Sequence, residues 1–307
     1  MLRNISLMIA TTVMSGTLLA ADTSVIAPDD PAAYSGSRFA VKTEQIANDV
    51  YVMRRVATWR SFVQGNVTVI VNADDVVVVD SGSTAYTENV VAEIKKITDK
   101  PITTVITTHW HGDHNRGNHV YRKHYPDLRI ISHAKTHENM WHRDKSLGKP
   151  RADDALEKAR TRAAENVAKA VTDNLPEERI ASARDYEAGI DELYADLDNA
   201  QSGIADVTFE NKMVLHHGER TIELLHLGRA NTDGDIVVWL PKEKIVATGD
   251  IVVRPTPYGF FSYPADWADT IENIKALEFA TLVPGHGPVL KDNVYLDKLA
   301  HLFRDLT

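Results

Sequence analysis

The stretch Pro101-Ile-Thr-Thr-Val-Ile-Thr-Thr108, followed by His109-Trp110-His111-Gly112-Asp113-His114, decides the reading of this chain. The first eight residues are β-branched apart from Pro101 and read as a buried strand. Three imidazoles and a carboxylate follow where that strand ends. His109 and His111 are two residues apart, so in extended chain they point the same way and can grip one cation. Gly112 lets the chain turn, and Asp113 and His114 can then face a second cation. Neutral imidazole and carboxylate are ligands that zinc takes in catalytic sites. The competing reading is a polar loop rich in histidine, but four ligand-type side chains at this spacing have few structural uses.

Three later residues occupy comparable positions. Asp250 closes the strand Lys244-Ile-Val-Ala-Thr248 and its Gly249, His286 closes Leu282-Val-Pro-Gly-His286, and Asn231 lies between two strands in Gly228-Arg-Ala-Asn-Thr-Asp-Gly-Asp235. Singly each reads as a turn residue. With the first cluster they suggest a two-metal site.

The composition is that of a soluble globular protein. Of 307 residues, 43% are hydrophobic and 25% charged, and the formal net charge is -9. No long Lys/Arg run appears, which argues against a nucleic-acid partner and says nothing about small-molecule substrates. The chain has no cysteine. Thiolate catalysis and zinc–thiolate bonds are therefore excluded, and a metal must be held by nitrogen and oxygen.

Residues 1–21 read as a cleaved secretory signal. Arg3 is followed by an apolar stretch and then by small residues ending at Ala20-Ala21. This predicts a periplasmic or secreted protein, and no other stretch is apolar enough for stable membrane insertion. Residues 22–44 read as an N-terminal linker and 45–307 as one α/β domain. Strand patterns occur at Val67–Val71, Val76–Asp80 and again from Val207, with helical patterns at Thr87–Thr98, Ala268–Glu278 and Asn293–Leu306. Residues 150–200 carry two apolar helical stripes broken at Asn174-Leu-Pro176, which predicts a helical hairpin inserted into an α/β domain.

The pattern His109-x-His111-x-Asp113-His114, then Asp250, then Gly285-His286-Gly287 resembles the metallo-β-lactamase superfamily, as does Val76-Val-Val-Val-Asp80-Ser-Gly. The resemblance implies an αββα sandwich of two mixed β-sheets with helices outside and metals on the loops at one edge. It implies a cofactor of one or two zinc ions. His109 and His111 would bind the first, and Asp113, His114 and His286 the second. Asp250 would reach the second and be able to bridge both, and Asp113 would be the catalytic carboxylate. Asn231 stands where the family usually has a histidine. It is expected to bind weakly or through water, with His226 the nearest replacement imidazole, while His133, His137 and His142 read as surface or supporting residues.

The implied activity is metal-assisted hydrolysis of a small-molecule amide or ester, a β-lactam among the candidates. Lactone or thioester hydrolysis, and a non-catalytic zinc-binding protein with a degraded first site, are the alternatives. Trp59 and Phe62 in one loop, and Tyr258 with its aromatic neighbours, are candidate substrate walls, with Phe260 and Phe261 equally readable as core. Arg254 is a candidate carboxylate binder. Oligomeric state is not legible.

Overall fold

A computed structural model describes residues 38–55, 63–143, 152, 154–257 and 259–307. The expected signal segment, Trp59, Phe62 and Tyr258 lie outside the described residues.

Seven strands form one mixed sheet in sequence order: β1 (Val41–Ala47), β2 (Val50–Arg55), β3 (Val67–Val71), β4 (Val76–Val79), β5 (Ile102–Thr107), β6 (Arg129–His133) and β7 (Val207–Phe209). β1 to β4 are antiparallel neighbours, and β4 to β7 are parallel. The parallel half needs crossovers, which helices supply. The second sheet has the order β12-β11-β10-β9-β8, with β8 (Lys212–His217), β9 (Arg220–Leu225), β10 (Val237–Leu240), β11 (Ile245–Ala247) and β12 (Thr281–Val283). Only β11 and β12 pair in parallel there. β1 begins at Val41, so the strand-forming region starts inside the segment expected to be linker.

Side-chain alternation explains the layers. Val76 and Val78 of β4 face one way, against Val90, Val91 and Ile94 of α1 (Thr84–Ile97). Val77 and Val79 face the other way, into a core shared with Ile222 and Leu224 of β9 and Val238 and Leu240 of β10. The outer face of the second sheet packs Val237, Trp239 and Val246 against Trp267 and Ile271 of α8 (Pro264–Lys275) and Leu299 and Phe303 of α9 (Val294–Asp305). The order of layers is thus helix, sheet, sheet, helix, as expected.

Four helices occupy the first crossovers and the insertion: α2 (Gly112–Asn115), α3 (Asn118–His124), α4 (Ala134–Arg143) and α5 (Ala155–Thr172). Two more follow, α6 (Glu177–Ala188) and α7 (Ile190–Asn199). The insertion is therefore three helices from α5 to α7, not the hairpin expected. Gly189 closes α6 and opens α7, breaking the stripe that runs through Tyr186, Ile190 and Leu193. The insertion is tied to the body by the Asp196 carboxylate, which accepts the backbone N–H of Ala85 at 2.6 Å, and by Arg38, which reaches Asp185 at 3.0 Å. No helix among the described residues is long and apolar enough to cross a membrane.

Candidate metal centre

The candidate ligands converge because strand ends from both sheets meet at one edge. β5 delivers His109 and His111, the turn after β11 delivers Asp250, and the loop after β12 delivers His286. Backbone bonds lock these loops together. Thr108 C=O accepts Ile236 N–H at 3.1 Å, and Gly249 C=O accepts Gly285 N–H at 2.8 Å. Asn66 bridges the sheets, its Nδ2 donating to the carbonyls of Pro284 and Gly287, each at 2.8 Å.

Two groups of donors result. His109, His111 and Asp250 form one, and Asp113, His114 and His286 the other, with the ligand atoms in each group all within 4.8 Å of one another. Asp250 also reaches the second group. Its Oδ1 lies 3.1 Å from His114 Nε2 and 3.3 Å from His286 Nε2, while its Oδ2 lies 3.6 Å from His109 Nε2. Asp113 Oδ2 lies 3.1 Å from His286 Nε2. All seven expected ligand residues, Asn231 included, come to this edge.

The protein sets the tautomers from behind. Asp80 closes β4 with a φ of 65°, a left-handed conformation that aspartate tolerates better than most residues. Its carboxylate accepts His114 Nδ1–H at 2.8 Å, Thr108 N–H at 2.8 Å and the Thr108 hydroxyl at 2.8 Å. Thr108 Oγ1 is then left to accept His109 Nδ1–H at 3.0 Å. Both imidazoles therefore turn Nε2 toward the centre, an outer-shell arrangement typical of metal-bound histidine. Gly65 is required here, since a Cβ at that position would lie 2.5 Å from His114 Cε1.

Asn231 is fully buried. Its Nδ2 donates to Asp250 Oδ2 at 3.2 Å, and its Oδ1 has no hydrogen-bond partner among the described residues. Its loop is held by Asp235, whose carboxylate accepts the N–H and hydroxyl of Thr232, each at 2.7 Å. Burial pushes Asp235 up to about 6. His226 belongs to neither donor group. Its Nδ1 bonds the Asp235 carbonyl at 2.8 Å, and its ring stacks 4.4 Å from that of His133.

Electrostatics fit a cation. Burial, and then the neighbouring His109, push His111 down to about 3, so it stays neutral. Burial also disfavours charge on His286, but Asp250 and Asp113 outweigh it and push His286 up to about 9. His114 is raised against its burial by Asp250, Asp80 and Asp113. Protons thus do, without metal, the neutralising that a cation would do. Among the described residues His109 Nε2, like Asn231 Oδ1, is a buried polar atom with no hydrogen bond of ordinary geometry, as a ligand-binding donor set would leave it. Imidazole and carboxylate donors in this number fit a divalent metal.

Around the centre, Arg254 donates its backbone N–H to the His286 carbonyl at 3.1 Å and sets its guanidinium 5.1 Å from the Tyr295 ring. Phe260 and Phe261 are exposed, so they are not core. Phe261 lies 5.9 Å from Trp110, whose ring carries the Arg143 guanidinium at 3.5 Å. Sequence reasoning missed the roles of Asp80, Thr108, Asn66 and Asp235. Only Asp80 left a signal, as a motif quoted without a contact.

A two-sheet sandwich with paired His/Asp donor groups on one edge defines a class of metal-site protein. The profile of the metallo-beta-lactamase superfamily matches residues 60–286, and the chain belongs to that superfamily. A linear primary-alkylsulfatase from Pseudomonas sp. (strain ATCC 19151) is 22% identical over 76% of this chain. A metallo-beta-lactamase type 2 from Bacillus cereus is 32% identical over 24% of it. The chain spans 43% and 32% of the lengths of these two relatives. Solved structures of the DIM-1 metallo-beta-lactamase and of a metallo-beta-lactamase from Pontibacter korlensis superpose with a TM-score of 0.59 over 87% of this chain. They cover 98% and 100% of those chains at 17% identity.

Proposed function

We propose that this protein is a zinc-dependent hydrolase that activates water to cleave an amide or ester bond in a small molecule. The observation that carries the reading is the pair of donor groups joined by Asp250. His109, His111 and Asp250, with Asn231 as a weak or water-mediated fourth, would hold one ion. Asp113, His114 and His286, again with Asp250, would hold the other. Zinc, when bound there, supplies a hydroxide nucleophile at neutral pH and polarises the scissile group. Asp113 places Oδ2 against His286, which leaves Oδ1 to orient the attacking water and take its proton. Asp80 and Thr108 hold the two imidazoles in register through the reaction. Arg254 and the aromatic residues beside the centre would contact substrate.

The test is elemental analysis of the purified protein, with turnover of a β-lactam, a lactone, a thioester and a primary alkyl sulfate. Zinc at one to two per chain with cleavage of at least one substrate, abolished by chelation, is expected. Zinc-free protein that stays inactive after zinc addition overturns the reading. The sulfate ester is included as a second reading because the alkylsulfatase alignment spans most of this chain, whereas that to the β-lactamase covers a quarter. Export to the periplasm or medium rests on residues 1–21, and N-terminal sequencing of the mature protein tests it.

A further inference from the structure

Aromatic rings form a path outward from the metal centre on its His111 side. The Trp110 ring lies 4.3 Å from the His111 ring, and the Phe261 ring lies 5.9 Å from that of Trp110. Arg143, the last residue of α4, holds its guanidinium 3.5 Å over the Trp110 ring and 4.9 Å from that of Phe261. Three separate elements thus converge: the ligand loop after β5, the end of α4 and the turn before α8.

The turn displays its aromatics instead of burying them. Phe260 and Phe261 are 69% and 71% exposed, whereas Trp267, a few residues on, is fully buried and donates Nε1–H to the Ile251 carbonyl at 2.9 Å. Phe261 has a φ of 68°, a left-handed conformation that is strained for a bulky side chain. A strained backbone persists only where its surroundings hold it. Here Tyr263 N–H donates to the Ala230 carbonyl at 2.8 Å, which ties the turn to the loop of Asn231, and the Ser262 hydroxyl donates to the Gly259 carbonyl at 3.1 Å. Packing does not require the two phenylalanines, since neither belongs to a core cluster of the described residues. Large apolar groups kept in water beside a site mark a binding surface.

The helical insertion offers an apolar wall elsewhere, on the Asp113 side. A cavity of about 250 Å³ there is lined by Gly112, Asp113 and Arg116 against Tyr186 of α6 and Leu193 and Leu197 of α7. Its charges answer one another, Arg116 facing Asp196. That wall can seat a hydrocarbon arm, whereas the His111 side presents two rings that a guanidinium holds at a set spacing.

We infer that Trp110 and Phe261, spaced by Arg143, form a subsite for an aromatic ring carried by the substrate. This presupposes the hydrolase reading and narrows its substrates to aryl-bearing small molecules. An incoming aromatic ring makes edge-to-face or offset contacts with the pair that are worth more than the area they cover, and a saturated ring of the same size does not.

Binding separates the two kinds of ring without any turnover. Phenylacetohydroxamic acid and cyclohexylacetohydroxamic acid carry the same metal-binding headgroup, set off by the same methylene. Both are titrated calorimetrically into zinc-loaded wild type, F261L, F261Y and W110L, with the zinc content of each checked. Wild type is expected to prefer the phenyl compound by about three- to tenfold. F261L and W110L should each bring the ratio toward one, F261L with the cyclohexyl affinity near that of wild type, and F261Y should keep the preference. Equal affinities in wild type, or binding of neither compound, overturn the inference. So does a preference that survives in both F261L and W110L, which would seat the ring in the cavity on the Asp113 side. Phe261 is exposed, so its variants decide the matter even if W110L, between two ligands, fails to fold. A phenyl preference lost in F261L, with no cleavage of any panel substrate, counts against the hydrolase reading and leaves the subsite intact. Cleavage with equal affinities does the reverse.

Discussion

Asp250 presents one carboxylate oxygen to each half of the centre: Oδ1 lies 3.1 Å from His114 Nε2, and Oδ2 lies 3.6 Å from His109 Nε2. A side chain shared in this way couples the two halves. Asp250→Ala should therefore lower metal content at both, to below about one ion per chain, whereas Asn231→Ala should remove at most a fraction of one. His114→Ala should fall between them. Elemental analysis after gel filtration ranks the three, and equal metal content in Asp250→Ala and Asn231→Ala would sink the shared-ligand assignment.

Asn231 holds its amide nitrogen on Asp250 Oδ2 and leaves its oxygen unpartnered. Imidazole is the better zinc ligand, so Asn231→His should raise occupancy toward two under zinc-limited titration. The substitution also releases Asp250 Oδ2 from its donor. Unchanged occupancy would mean that Asp250 already completes the first site, since His226 is engaged with the Asp235 carbonyl.

Asp80 acts through other residues and touches no candidate metal position. Asp80→Asn keeps the shape but cannot accept three donors, and it weakens the hold on the His114 tautomer. Metal affinity should fall by about 10–100-fold, the usual cost of losing an outer-shell partner. Competition against a chromophoric chelator measures this. Unfolding midpoints of the metal-free proteins separate it from a general loss of fold. An affinity within twofold of wild type would show that Asp80 serves only the β4 turn.

The layered fold was legible because runs such as Val76–Val79 and Ile102–Thr107 carry strand character in every residue. Most of the ligands were legible because they follow strand ends, His109 to His114 after β5, Asp250 after β11 and His286 after β12. The Asp80–His114 bond was not, since it joins residues 34 apart through the pairing of β4 with β5. Asn66 was invisible for the same reason, its partners lying 218 and 221 residues away. Gly189 was overlooked because Tyr186, Ile190 and Leu193 keep helical spacing across it, and sequence periodicity does not register a change of helix axis.

The protonated imidazoles give the metal-free protein a defined pH dependence. The folded value for His286 is about 9 against 6.5 for an unperturbed histidine. A raised imidazole contributes stability that is fully present below the unfolded value and is lost as pH rises through the folded one. Asp250 and Asp113 are depressed, against their burial, by His114 and His286, so their contribution is lost as pH falls below the ordinary carboxylate range. Chelator-treated protein should be most stable between about pH 4 and 6.5 and should weaken steadily toward pH 9. Zinc needs the neutral imidazole, so binding at pH 7 should release protons, and affinity should rise with pH until about 9. Calorimetry in buffers of different ionisation enthalpy counts the protons. Release of none at pH 7 would contradict the raised imidazoles.

Removing the insertion tests what the helices are for. The segment from α5 to α7 lies between α4 and β7, and α4 remains as a helix in the crossover from β6 to its parallel neighbour β7, so a linker can replace the segment without breaking the sheet. None of the candidate metal ligands lies within it. The main losses to the body are the Asp196 bond to Ala85, the Arg38 ion pairs and the packing of Leu193 against the outer core. Partly exposed ion pairs contribute at most about 1 kcal/mol each, so the trimmed protein should fold. Its zinc content should match wild type. Its discrimination should not, because Tyr186, Leu193 and Leu197 leave with the helices. Burying a leucine-sized group is worth about 1.5–3 kcal/mol, so the kcat/KM ratio between long-arm and short-arm substrates should fall by about tenfold or more. A trimmed enzyme that keeps its fold, its zinc and the full ratio would assign the helices to assembly or stability and not to substrate choice.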